Sequence, residues 1–144
     1  MDATTIQKIT VYAIPLIFAI TLHEAAHAFA ARYFGDATAY MLGRMTLNPI
    51  KHIDPIWTIA VPLLLIMLNS PFLFGAAKPV PVNFGALRNP KRDMIWVAAA
   101  GPLSNLLMMV LWWLVCALAM GMPASEPAGF LVQMGHAGIF VNAL

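Results

Sequence analysis

Apolar residues in this chain come in long blocks instead of short alternations. The first block runs from about Ile9 to Tyr33, is broken in its body by Thr21, His23, Glu24 and His27, and ends at Gly35. A bilayer crossing takes roughly 20 mostly apolar residues, so this block predicts a spanning helix. Pro15 lies inside it and predicts a kink at most, because neighbouring helices can satisfy the freed carbonyl.

Residues 36–54 are polar, and Ala37 to Leu47 reads as an interfacial hairpin of short β-strands around Gly43, closed by Asn48-Pro49. A second apolar run follows from Pro55 to Gly75 and a third from about Met94 to Met122. Between them lies Lys78-Pro79-Val80-Pro81-Val82-Asn83. Each of its prolines lacks an N–H and pushes its predecessor into an extended conformation, so this is an extended edge segment, not a helix. A last apolar stretch, Gly129 to Leu144, has neither cap nor polar tail and reads as a truncated helix. The expected fold is a mainly α-helical membrane protein. It has two or three transmembrane helices, a re-entrant segment and short interfacial β-strands, and residues 1–144 form one C-terminally incomplete core.

Composition agrees with the block pattern: 61% of the 144 residues are hydrophobic and 10% charged, outside the range of soluble domains. A net charge of +2 without a basic stripe argues against nucleic acid as a partner. Cys116 is the single cysteine, which excludes an internal disulfide and any cysteine zinc cluster. Ala28-Phe29-Ala30 has the form of a signal-peptide cleavage site. A removable leader has no use for two histidines and a glutamate just before its cut, and the apolar pattern continues past it.

Charge placement adds topology. Arg32, Arg44, Lys51, Lys78, Arg88, Lys91 and Arg92, seven of the eight basic residues, lie in or beside the connections flanking the second apolar run. Positive residues mark the cytoplasmic side, and both connections share that side only if residues 55–75 enter the membrane and return; the alternative is a full crossing with one basic loop outside.

The candidate chemistry is His23-Glu24-Ala25-Ala26-His27. Histidines at i and i+4 share one helix face, so both imidazoles can bind one zinc ion, while Glu24 is placed to act as general base toward the attacking water. Alone, a five-residue motif is weak evidence; within an apolar helix, three ionisable groups are costly unless paired, coordinated or wetted. The small residues around the motif and Ala98-Ala99-Ala100-Gly101 predict close packing of the first and third runs. That packing brings Asn105 near the site, as a donor to a developing oxyanion or as a bridge between helices.

A hydrolytic zinc site usually has three protein ligands. Asp54, His52, Asp93 and His136 are the remaining candidates, and capping, solvated or interfacial roles suit each of them better.

Four short motifs in fixed order carry a family resemblance. They are the His23–His27 motif, Gly43-Arg44-Met45-Thr46-Leu47-Asn48-Pro49 with His52-Ile53-Asp54-Pro55, Ala77 to Asn83, and Ala100-Gly101-Pro102-Leu103-Ser104-Asn105. Together they resemble the site-2 protease family of intramembrane zinc metalloproteases, especially its small bacterial and archaeal members. The resemblance implies cleavage of transmembrane protein substrates within or near the lipid bilayer of a prokaryotic plasma membrane. It implies Zn2+ as cofactor, and it puts Lys78 to Asn83 beside the active site, either as an edge for an unwound substrate or as a plain connector. It also implies a third ligand from an Asp-Gly motif; this chain contains no Asp-Gly, so that aspartate is expected beyond Leu144 and the 144 residues alone are expected to be inactive. Two other classes remain open: a transporter or channel fragment whose His23, Glu24 and His27 line an ion or proton path, and an inactive membrane scaffold. Substrate, pathway and oligomeric state have no signature in the sequence.

Overall fold

The computed structural model describes residues 3–72 and 76–143. Two helices of 31 residues dominate it: α1, Ala3–Tyr33, and α4, Pro90–Met120. Both are long and apolar enough to cross a membrane. At 1.5 Å per residue each is about 46 Å long, longer than the roughly 30 Å hydrocarbon core. Ile95, Leu103, Leu106, Leu107, Val110, Leu111 and Leu118 of α4 are exposed. A soluble core helix would bury such a face, whereas lipid leaves it in an apolar solvent. The third long helix, α5 (Glu126–Ala143), packs on both α1 and α4.

Helix ends follow their residues. Gly35 closes α1 at φ +109°, with the Asp36 amide bonded to the Ala31 carbonyl and the Gly35 amide to that of Arg32. This paired pattern with a left-handed glycine is a Schellman cap. Asp36 then starts the next element, its Oδ1 accepting from the Thr38 amide (3.0 Å) and hydroxyl (2.6 Å).

That next element corrects the predicted hairpin. Thr38–Met41 is a short helix, α2, and the described residues contain no strand. Gly43 (φ +70°) is the left-handed residue of a second Schellman cap, with the Arg44 amide on the Ala39 carbonyl and the Gly43 amide on Tyr40. A glycine between apolar flanks serves a hairpin turn and a helix end equally well. Asp36 decides between them by satisfying the amide at the start of a helical turn.

The second apolar run begins as a π-helical turn, Pro55–Ala60, and continues as α3, Val61–Met67. Residues 73–75, where the run was expected to end, lie outside the described residues, as does Leu144. From Pro55 to Met67 the helix is about 20 Å long, short of a crossing. The chain then returns to its origin. The Ala76 amide bonds the Trp57 carbonyl (3.1 Å), Thr58 Oγ1 donates to the Ala76 carbonyl (2.6 Å), and the Lys78 amide bonds the His52 carbonyl (3.0 Å).

Packing at the centre relies on small residues. Ala25, Ala28 and Ala31 of α1 are buried, and Ala28 packs with Ala39 and Val80. Ala31 packs with Leu87 and Val97, and Val82 and Met94 close over that cluster. On α4 the buried positions Asp93, Val97, Gly101 and Met108 recur at helical spacing and define one face, which meets α1.

Candidate metal centre

His23 and His27 lie one turn apart on α1, and their Nε2 atoms face each other at 3.1 Å. Their rings are nearly perpendicular, at 77° with centroids 4.7 Å apart. Each ring is held by its other nitrogen. His27 Nδ1 donates to the Val97 carbonyl at 2.7 Å. His23 Nδ1 is bonded to Asn105 Oδ1. A carbonyl has no proton to offer, so His27 carries a proton on Nδ1, and in its neutral form Nε2 presents a lone pair.

Whether zinc suits this pair can be judged from the geometry. Two nitrogens each about 2.0–2.1 Å from a tetrahedral ion stand roughly 3.3–3.4 Å apart, close to the separation here. Histidines that donate from Nδ1 to oxygen acceptors are the usual form of metal-bound imidazole.

Gly101 supplies the space. A Cβ at that position would fall 2.6 Å from His23 Nε2 and would overlap His27 Nε2 as well. The missing side chain therefore lets the backbone of α4 lie directly against both nitrogens, where any larger residue would push the rings aside. The residues fit a zinc ion as two of its ligands. Among the described residues, no set of three His, Cys, Asp or Glu side chains gathers to hold a metal.

Glu24 is anchored to another segment. Its Oε2 accepts from the Val80 amide at 3.0 Å, which joins the motif to the proline-bracketed segment. That segment, Lys78 to Asn83, is neither helix nor ladder, and it is held at Lys78, Val80 and Asn83. The Lys78 carbonyl accepts from Arg44 Nη2 (2.7 Å), and the Asn83 amide bonds Asp36 Oδ2 (2.7 Å). Burial of Asp36 raises its pKa, but the Thr38 hydroxyl and the amides of Thr38 and Asn83 outweigh this and hold it below the ordinary carboxylate value.

Asn105 bridges three helices: its Oδ1 faces His23, and its Nδ2, the group an oxyanion would need, donates to Asn142 Oδ1 at 2.8 Å. His52 is fully buried, with Nε2 on the Thr46 carbonyl at 2.8 Å. Asp54 caps the π-helical turn, accepting from the Ile56 and Trp57 amides. Asp93 accepts from the Asn89 amide at the start of α4. His136 is exposed and lines a surface groove with Lys8 and Tyr12 of α1. Lys8 is fifteen residues, about 22 Å of helix, before His23.

Sequence reasoning missed Asn142 and the Val97 carbonyl. A backbone oxygen leaves no mark in a sequence. Asn142, however, is an amide in an apolar helix, a polar residue that must find a partner there.

Comparison with known proteins points the same way. Over 95 residues, 66% of this chain, it is 47% identical to a Bacillus subtilis protein provisionally named zinc metalloprotease YwhC. Over the same share it is 34% and 35% identical to the Mycolicibacterium smegmatis and Mycobacterium tuberculosis proteins provisionally named zinc metalloprotease Rip2. The matched region covers 40% of the first relative's length and 35% of the other two. No protein-family model matches the chain. No solved structure matches it either. The fold and the site thus describe a mainly helical chain with spanning-length helices and a histidine pair suited to zinc. Its relatives carry the name of zinc metalloproteases.

Proposed function

We propose that residues 1–144 form one core of an intramembrane zinc metalloprotease of the site-2 protease type, acting on transmembrane protein substrates in a prokaryotic plasma membrane. The observation that carries this reading is the Nε2 pair at 3.1 Å, with both Nδ1 atoms against oxygens and only Gly101, without a side chain, packed on the pair from α4. The relatives' names and the order of the motifs support it.

His23 and His27 would hold the ion, with a third ligand from outside the described residues. The chemistry zinc supplies when bound is a water made acidic enough to react near neutral pH, together with polarisation of a carbonyl. Glu24 takes the proton from the attacking water and returns it to the leaving amine. The Val80 amide fixes the Glu24 carboxylate through one oxygen. The other oxygen accepts no hydrogen bond among the described residues and is free for that exchange.

Lys78 to Asn83 is the substrate edge. Val82 donates and accepts no backbone hydrogen bond among the described residues, so its amide and carbonyl can pair with an unwound substrate strand. Residues 55–72 enter the membrane and return, which keeps the basic connections on the cytoplasmic side.

The test is cleavage of a membrane-embedded substrate by the full-length protein. Cleavage by the wild type that disappears in Glu24→Gln while zinc is retained supports the reading. Undiminished cleavage by Glu24→Gln rejects it.

A further inference from the structure

The hydrogen bond on His23 is one end of a chain that begins at a backbone carbonyl of α5. Asn142 Nδ2 donates to the Gly138 carbonyl at 2.8 Å, Asn105 Nδ2 donates to Asn142 Oδ1 at 2.8 Å, and Asn105 Oδ1 faces His23 Nδ1. Each amide alone could be turned end for end, since oxygen and nitrogen have the same shape. The Gly138 carbonyl removes that freedom. It can only accept, so Asn142 must turn its NH2 toward it and its oxygen toward Asn105. Asn105 must then offer its NH2 to Asn142 and its oxygen to His23. His23 in turn must carry its proton on Nδ1, which leaves the Nε2 lone pair facing His27 Nε2.

We infer that Asn142 is a positioning residue, which through Asn105 fixes the tautomer and ring orientation of His23 for metal binding. The inference rests on the zinc reading of the histidine pair. Asn142 is buried, and its partner atom is a main-chain oxygen that substitution cannot remove. Around it α5 is locked to α4, with Gly135 against Cys116 and Gly138 against the Trp112 ring. A shift of α5 therefore moves the anchor of the relay. His27 needs no such device, because its own acceptor is the Val97 carbonyl. The two ligands are thus oriented by different means, one by the backbone directly and the other by two amides in series.

A pair of linked substitutions in the full-length protein tests this, with zinc affinity measured by competition against a chromophoric chelator. Asn142→Leu frees the Asn105 amide to turn its NH2 toward His23, and affinity falls by about 10–100-fold, as for other outer partners of a ligating histidine. Asn105→Asp offers only oxygens, so His23 keeps an acceptor whichever way the group turns, and zinc is still bound. Adding Asn142→Leu to Asn105→Asp then costs nothing further. An equal loss from Asn142→Leu in both backgrounds would mean that Asn142 only packs the helices, and it would overturn the inference.

The second measurement needs no variant at position 142. In metal-free wild type with 15N-labelled histidine, the His23 signals, identified by their absence from His23→Ala, show a protonated Nδ1 and an unprotonated Nε2. The opposite tautomer overturns the relay even if zinc binds well. A wild type that has the expected tautomer but binds no zinc leaves the relay standing and rejects the zinc reading.

Discussion

The Glu24 carboxylate accepts the Val80 amide at 3.0 Å, so the candidate base and the candidate substrate edge are joined by one hydrogen bond. Pro79 and Pro81 flank that amide and have none of their own, which leaves Val80 as the donor at this point of the segment. Val80→Pro removes the donor. The expected outcome is zinc content unchanged and cleavage reduced by tenfold or more, on the scale of a misplaced general base. Metal analysis alongside a cleavage assay checks both halves.

Gly101 gives a steric prediction. A methyl there overlaps both Nε2 atoms, so Gly101→Ala is expected to displace the rings and abolish zinc binding while the helices still assemble. Gly129→Ala is the control. Its Cβ would meet nothing within 4 Å, and alanine in α5 should be neutral or stabilising by about 0.5–1 kcal/mol. Zinc content and thermal unfolding of the two variants separate the steric effect from a general one.

How much of this was legible in the sequence depends on the kind of signal. The long helices follow from block hydrophobicity, and the histidine pair from its i, i+4 spacing. The segment around Gly43 misled because a left-handed glycine marks a turn without saying what precedes it. The deciding contact, Asp36 to Thr38, looks in sequence like any loop aspartate. Gly101 was readable as a close-packing residue, but that it packs on the two histidines needs three dimensions. The Val97 carbonyl and the order of the Asn105 and Asn142 amides depend on how α4 and α5 sit against α1, which no local pattern encodes.

Asp36 links the end of α1, the start of α2 and the end of the proposed substrate edge. Asp36→Ala leaves the Thr38 and Asn83 amides without their acceptor and is expected to cost of order 1–3 kcal/mol in denaturant unfolding. The pH dependence follows from the sign of its shift. Its folded-state pKa lies below the ordinary 3.8, so its contribution is complete above that value and fades as pH falls through the lowered one. Asp36→Asn should flatten this acid limb of the stability curve.

The return of the chain from Ala76 to Trp57 predicts topology. In a Cys116→Ala background, cysteines at Lys51 and Lys78 should both react with an impermeant reagent from the cytoplasmic face. Reaction of Ser70→Cys from the opposite face alone would mean that residues 55–72 cross the membrane.

The central claim is that His23 and His27 jointly bind zinc, and metal analysis of the purified full-length protein tests it most directly. The account predicts about one zinc per chain in the wild type and in Glu24→Gln, and none in His23→Ala or His27→Ala that still fold. Zinc absent from folded wild type, or retained when both histidines are replaced, would contradict it.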